Sequence, residues 1–436
     1  MHMKAFSFLL FTLLLVCLSS FARSADQADT TDSGRVTLSS VSNEALRNNS
    51  AIRAALSRWI AMRARVPQAA AWDDPRVSAD FNAARFVTVP PNAFMDQAVT
   101  LEQMIPISGK NRVRSRIAGA EALAAFEEVR RRQLDVITKV RTSYLRLLNS
   151  YALLDLNEKN IASLRQIADV ARSRYETGKA SATDVLLAET EASKLQETRR
   201  DIERMISDEK SQLNVLMNRD AFSPLGVPRK ESMPRREMSL MQLRNRMLVQ
   251  RPEIRTAQAQ VEAAREKVQL ARREWIPDPA ISVQGQRYND TQHLTSELNT
   301  GISFSIPWGN YGKYSAGSKE AQSNLAAAQA ELDRVQKESL GLLRDQLQKI
   351  ETTHHHAELF QEEILSQAEK AFAASRSAYE SGTGEFSDWL TAQRVLRDTQ
   401  ATALNHLTDH EIAIAELEGI AGAEIRPSPP KTKKSK

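Results

Sequence analysis

Tyr175-Glu-Thr-Gly178, followed by Asp184-Val-Leu186-Leu-Ala188, returns as Tyr379-Glu-Ser-Gly382 followed by Asp388-Trp-Leu390-Thr-Ala392, displaced by 204 positions throughout. An internal copy at a fixed offset constrains the fold strongly, because each copy must build the same supersecondary unit and bury its apolar face against a neighbour. Other marks keep nearly the same offset. Ile105-Pro106 with Gly109-Lys110 returns as Ile306-Pro307 with Gly312-Lys313, Trp72 with Pro75 as Trp275 with Pro279, and Asn49-Ser-Ala-Ile52 as Arg251-Pro-Glu-Ile254. Each half therefore runs through one order of elements: helix, Trp/Pro break, strand pair, Pro/Gly break, long helix, tight turn, return helix.

Apolar spacing predicts helices over 41–66, 111–174, 184–218, 240–274, 315–378 and 387–420. The first long helix carries Ile137, Val140, Tyr144, Leu147, Tyr151, Leu154, Ile161, Leu164, Ala168, Ala171 and Tyr175 at steps of mostly three and four. Such a run marks coiled-coil packing rather than a globular core helix. The second long helix repeats it less cleanly with Leu340, Leu343, Leu347, Ile350, Ala357, Ile364 and Ala371. A helix of this length makes a rod of roughly 95 Å, whereas the return helices reach only about 50 Å. The helices at 41–66 and 240–274 are sized to fill the remaining span, stacked end to end with the return helices. The result is a tall wall without a compact core.

Strands are expected near 76–84, 94–106, 279–289 and 298–308. Val77, Ala79 and Phe81 alternate with Ser78 and Asp80, and Ile302, Phe304 and Ile306 alternate with Ser303 and Ser305. Segments of about ten residues with one apolar and one polar face, joined by polar loops such as Tyr288–Glu297, have the pattern of outer-membrane strands. Four strands cannot close a barrel in lipid, where every backbone group must be paired and closed barrels begin at about eight strands. Several copies must contribute. Three give twelve strands and twelve helical columns, so the expected fold is mainly α with a small β part: duplicated hairpins in a trimeric α-barrel plus a 12-stranded transmembrane β-barrel.

The ends of the chain carry most of its charge. Lys4, the apolar run Ala5–Leu18 and the small residues up to Ser24 read as a secretory signal over 1–24. Cys17 is the single cysteine, so it either leaves with that segment or carries a lipid, the latter disfavoured by the branched Val16 before it. With the signal gone, disulfides and thiolate sites drop out. The net charge of +5 is carried by Lys4, Arg23 and the basic tail 426–436, which leaves the body slightly acidic. A basic pI made by a signal and a Pro/Lys tail is not a nucleic-acid face. The domain reading is therefore signal 1–24, first repeat 25–226, second repeat 227–425 and a solvated tail 426–436.

The duplicated Tyr-x-x-Gly…Asp-x-Leu hairpins and Ile-Pro…Gly-Lys junctions resemble the TolC-type outer membrane efflux factor family, over essentially the whole chain between signal and tail. The stretch Gln103-Met-Ile-Pro106-Ile-Ser-Gly109-Lys110 looks like the branch containing heavy-metal efflux members. The resemblance implies a passive homotrimeric exit channel in the outer-membrane lipid, with most of the chain in the periplasm. It implies two partners, a periplasmic adaptor and an inner-membrane pump, and metal ions or drugs as cargo. It also implies that the tips Tyr175, Gly178, Leu186, Tyr379, Gly382 and Leu390 meet the adaptor, and that Asp184 and Asp388 lie at the periplasmic aperture. The competing class is an adaptor or structural coiled-coil spacer without a channel.

The marked residues also have plain structural readings. Gly178 and Gly382 suit left-handed helix ends, and Thr183/Asp184 and Ser387/Asp388 suit helix starts. Around a narrow trimeric mouth, the six carboxylates of Asp184 and Asp388 would attract cations and repel one another, with Arg172, Arg174 and Arg376 as candidate partners. Where the family places a further charge beside the motif, this chain has Gly384 and Thr391. His354, His355 and His356 point in different directions around one helix, with no histidine four residues away to share a face, so the reading is a solvated or seam-facing run rather than a metal site. Asp201, Glu203, Asp208 and Glu209 are read as surface charges. No catalytic constellation, cofactor motif or metal-ligand set is expected.

Overall fold

A computed structural model describes residues 34–81, 95–231, 237–289, 294–422 and 426–427. The signal with Cys17 and nearly all of the basic tail lie outside these residues. In chain order the structure contains β1 (Arg35–Val36), α1 (Leu38–Asn48), α2 (Ser50–Ala70), β2 (Arg76–Phe81), β3 (Met95–Met104), α3 (Lys110–Glu176) and α4 (Ala182–Leu216). The second half contains β4 (Val227–Pro228), β5 (Glu237–Met238), α5 (Leu240–Gln250), α6 (Pro252–Arg273), β6 (Pro279–Asn289), β7 (Leu294–Phe304), α7 (Tyr311–Leu359), α8 (Leu365–Ser381), α9 (Phe386–Ala421) and β8 (Arg426–Pro427).

Both predicted shorter helices are broken in two, at the repeat-related residues Asn49 and Arg251. Asn49 leaves helical geometry (φ −58°, ψ 126°), and its Oδ1 accepts from the backbone N–H of Ala51 and Ile52 at 3.0 and 3.4 Å. Its Nδ2 donates to Leu216 O at 2.9 Å, which fastens the break to the end of α4. Arg251 makes the same kink (φ −63°, ψ 125°) ahead of Pro252, whose ring suits the first helical position but could not continue α5. The long rod of the second half is interrupted as well, by one π turn at Phe360–Ile364 between α7 and α8.

The helices stand side by side as four columns. α3, 67 residues long, spans about 100 Å. It packs against α2 and α4 on one side and α6 and α9 on the other, while α7 closes against α6 and α9. Burial follows from these positions. α3 is covered from both sides and hides Val140, Tyr144, Leu147, Ile161 and Leu164 together with the polar Ser143, Asn157 and Asn160, whereas α7 over 49 residues buries only Ala321, Ser339, Leu343, Gln346, Ile350 and Ala357. At mid-height Tyr144 is 1% exposed and its hydroxyl lies 2.7 Å from the carbonyls of Val36 and Arg229, tying α3 to the parallel pair β1–β4. Burial pushes the Tyr144 phenol up to about 12.

Four strands form an antiparallel sheet in the order β2-β3-β6-β7, open at both edges among the described residues, and β1–β4 and β5–β8 are short parallel pairs. The fourth strand is displaced from its expected place. It occupies 294–304 rather than 298–308, because Pro307 has no N–H for the ladder and opens a 3₁₀ turn at Pro307–Asn310, which removes Ile306 from the strand. Of the expected Tyr288–Glu297 loop, 288–289 belong to β6 and 294–297 to β7, while 290–293 lie outside the described residues, as do 82–84 of the first predicted strand and residue 94 of the second. At the base of the sheet Asp278 accepts from Ser108 N and Ser108 Oγ at 2.8 Å and from Lys110 Nζ at 3.1 Å, so the Pro/Gly junction of the first half is bound to the strand pair of the second.

α3 and α9 approach closely at Gly419, where an added Cβ would collide with Thr138 Oγ1. Gly419→Ala is expected to cost about 1–3 kcal/mol by overpacking. Combining it with Thr138→Ala should recover much of that loss in thermal melts of the detergent-solubilised protein; no recovery would place the strain elsewhere.

Candidate functional site

The lower end of the wall is built by the two hairpin turns. Gly178 (φ +75°) and Gly382 (φ +82°) occupy the left-handed region that glycine enters without a Cβ penalty. In the second turn the N–H groups of Thr383 and Gly384 both donate to Ala378 O, at 2.9 and 3.0 Å, and a Cβ at Gly384 would lie 2.8 Å from Ala378 Cβ. Gly384, which replaces the charge expected beside the motif, is therefore required by the turn itself. The helix starts fall earlier than expected. Ser181 caps α4 in a capping box whose N3 residue is Asp184, and Glu385 caps α9 without a side-chain bond, because the chain turns extended at those residues (ψ 148° and 151°).

The two tips present different surfaces. Tyr175 and Leu186 on the first are 51% and 62% exposed, whereas Tyr379 and Leu390 on the second are 5% and 3% exposed. Tyr379, Phe386, Trp389 and Leu390 pack against Ile161, Leu164, Ile167 and Ala171 of α3 and against Val185 and Ala188 of α4. Within this cluster the ring of Tyr379 lies 5.5 Å from Phe386 and 5.3 Å from Trp389, and the Arg174 guanidinium sits over it at 4.7 Å while donating to Tyr379 O. Burial pushes the Tyr379 phenol up, the Asp184 carboxylate adds to the rise and Arg174 opposes it. Among the described residues neither Tyr379 Oη nor Trp389 Nε1 finds a hydrogen-bond partner.

The arginines expected beside the aspartates are engaged elsewhere. Arg172 binds Glu189 at 2.5 Å, Arg376 binds Glu380 at 2.7 Å, and Arg174 is held on Tyr379. Asp184 is half-buried and Asp388 exposed. Sequence reading missed Glu191, two turns above Asp184, which is 4% exposed and receives Lys194 and Arg394 at 2.8 Å and Arg397 at 3.7 Å. Burial would raise its pKa, but the hydrogen bonds from Lys194 and Arg394 hold it below the ordinary value. Because Arg394 and Arg397 belong to α9, this carboxylate joins the two hairpins just above their tips. The available signal was that Glu191 sits in step with the apolar positions Val185, Ala188, Ala192 and Leu195.

At the opposite end, the register puts Val77, Ala79, Phe81, Val99, Leu101, Ile281, Val283, Leu298, Ile302 and Phe304 on one face of the sheet, interrupted by Gln97, Gln103, Arg287 and Thr300. Arg76, Ser78, Asp80, Thr100, Glu102, Ser282, Gln284, Asn299 and Ser303 lie on the other. Val77, Phe81, Leu298 and Ile302 are about 70% exposed in the single chain. No helix among the described residues is long and apolar enough to cross a membrane.

A family model described as outer membrane efflux protein matches residues 41–219 and 243–423. The chain is 24% identical over 290 residues to the nickel-cobalt-cadmium resistance protein NccC of Alcaligenes xylosoxydans xylosoxydans, covering 66% of this chain and 64% of that protein. It is 24% identical over 312 residues to the solvent efflux pump outer membrane protein SrpC of Pseudomonas putida, covering 70% and 66%. These matches span just under two thirds of the relatives' length. The crystal structure of CusC superposes with a TM-score of 0.77 at 17% identity, over 88% of this chain and 92% of that one, and shares the fold.

Glu191 gives the tip a pH dependence. Its folded-state pKa is depressed, so its contribution is complete above the ordinary 4.5 and is lost as the pH falls below that value. The difference in melting temperature between wild type and Glu191→Gln is expected to be full above pH 4.5 and to shrink below it; a difference constant with pH would show that the ion contributes nothing.

Proposed function

The chain belongs to the outer membrane efflux protein family, and on that footing we propose that it is the passive exit duct of a tripartite export system, closed by three copies. The observation that carries this reading is the four-stranded sheet: among the described residues both edges are unpaired and one face is mostly apolar and exposed, at the end of a helical wall whose α7 buries few residues. In hydrocarbon each unpaired N–H and C=O costs several kcal/mol, so such a sheet is stable only when closed with others. Three copies supply twelve strands, with the apolar face toward lipid and the Ser/Thr/Gln/Asn face toward the lumen.

On this reading 1–24 directs export, 25–226 and 227–425 are the two repeats, and the helical wall stands in the periplasm. Energy comes from an inner-membrane pump, and a periplasmic adaptor meets the tips. Tyr175 and Leu186, with the Gly178 and Gly382 turns, form the surface available to it, while Tyr379 and Leu390 hold the second turn in place from beneath. Asp184 and Asp388 rim the aperture. The relatives' names point to small toxic solutes, metal ions or organic solvents, as cargo. A coiled-coil spacer would have no use for the apolar sheet face.

The experiment is the mass of the detergent-extracted protein by light scattering, with a trimer expected and a detergent-independent monomer overturning the duct. A paired substitution checks the orientation of the sheet. Ile302→Arg on the apolar face is expected to cost about 2–4 kcal/mol of membrane folding, read as loss of the folded band on unheated gels, and Ser303→Arg far less; equal effects would reject the assignment of faces.

A further inference from the structure

Four histidines of the second half meet across the seam between α7 and α9, about 30 Å above the tip. His354 faces His410 and His356 faces His406, each pair with ring centres 5.1 Å apart. His406 and His410 are one turn apart on α9, an i, i+4 pair that completes what the His354–His356 run lacks on its own helix. We propose that each pair is a binding site for a divalent transition cation of the borderline class, such as Ni²⁺, Co²⁺ or Zn²⁺.

Geometry supports this first. Two imidazoles sharing a tetrahedral ion at about 2.0–2.1 Å from each nitrogen place their ring centres roughly 5 Å apart. An orienting contact supports it next. Thr353 Oγ1 lies 2.9 Å from Lys349 O and 3.1 Å from Ile350 O, to which its hydroxyl proton is directed, and 3.4 Å from His410 Nδ1. That contact anchors the His410 ring against α7, as hydrogen bonds from neighbouring residues orient ligands in metal sites.

Charge is the third support. Glu351, Glu358, Asp409 and Glu411 lie within about a turn of the histidines along the two helices, and the nearby Lys349 is paired with Glu416 at 2.7 Å. His354 and His356 project about 160° apart around α7, so the pairs open to opposite surfaces of the wall. Among the described residues no group of three or more ligating side chains surrounds a common centre. Each pair therefore supplies two ligands and leaves the other positions to water, which makes the sites exchangeable and suits imidazole-preferring ions.

The test uses the full-length protein in detergent, without a polyhistidine tag, titrated with Ni²⁺ by calorimetry. Two ions per chain are expected at about pH 7.5, with binding lost near pH 5.5 as the imidazoles protonate. His406→Gln or His410→Gln should each abolish one site or weaken it about tenfold or more, and the double variant both. Ni²⁺ should raise the melting temperature of wild type but not of the double variant, whose circular dichroism and trimeric mass verify its fold. No saturable binding, or binding unchanged in the double variant, overturns the site; the mass measurement tests the duct separately.

Discussion

Backbone pairing in the absence of water is the constraint on which the rest of the structure depends. A strand edge in hydrocarbon leaves its N–H and C=O groups without partners, at several kcal/mol each. The sheet β2-β3-β6-β7 has two such edges, and its apolar face is as uncovered as they are. The helical wall repeats the situation in another form, since α3 is covered on both sides while α7 buries few of its residues. Strands and helices thus ask for the same closure, which a ring of copies supplies to both at once.

The duplication makes this economical without making the halves alike. The same unit sits in the interior of the wall as α3 and at its margin as α7, and the side chains record the difference. α3 can bury Asn157 because Nδ2 donates to Leu195 O at 3.0 Å, while Asn160 Oδ1 accepts from Gln393 of α9 at 3.3 Å and its Nδ2 finds no partner among the described residues. A buried amide without such partners would be costly. The tips diverge in the same way, the first exposing Tyr175 and Leu186 and the second folding Tyr379 and Leu390 inward.

The architecture was legible because a constant offset and a long heptad pattern are properties of the sequence alone. The breaks at Asn49 and Arg251 were not, although both positions lay within a recognised repeat. What ends the helix at Asn49 is a bond to Leu216, remote in sequence. Pro307 did announce the end of the fourth strand, and apolar alternation through Ile306 hid it. At the tips the motif located the turns but could not say that Tyr379 would be covered, since the cover comes from α3 and α4. The pairing of His354 with His410 likewise depends on the antiparallel register of two helices, which periodicity does not fix.

That inward packing also limits how the tips can move. Burying a large apolar side chain is worth about 1.5–3 kcal/mol, so drawing the second hairpin away from the first would forfeit such terms at Tyr379, Phe386, Trp389 and Leu390 together. It would also strip Glu191 of Arg394 and Arg397, leaving a buried carboxylate with Lys194 alone. In the proposed ring of three copies these losses would occur three times. Among the described residues α4 packs mainly on α3, and α7 on α6 and α9, so in the proposed duct widening of the mouth would be least costly with each pair of hairpins moving as one body and the sliding taking place at the seams between copies.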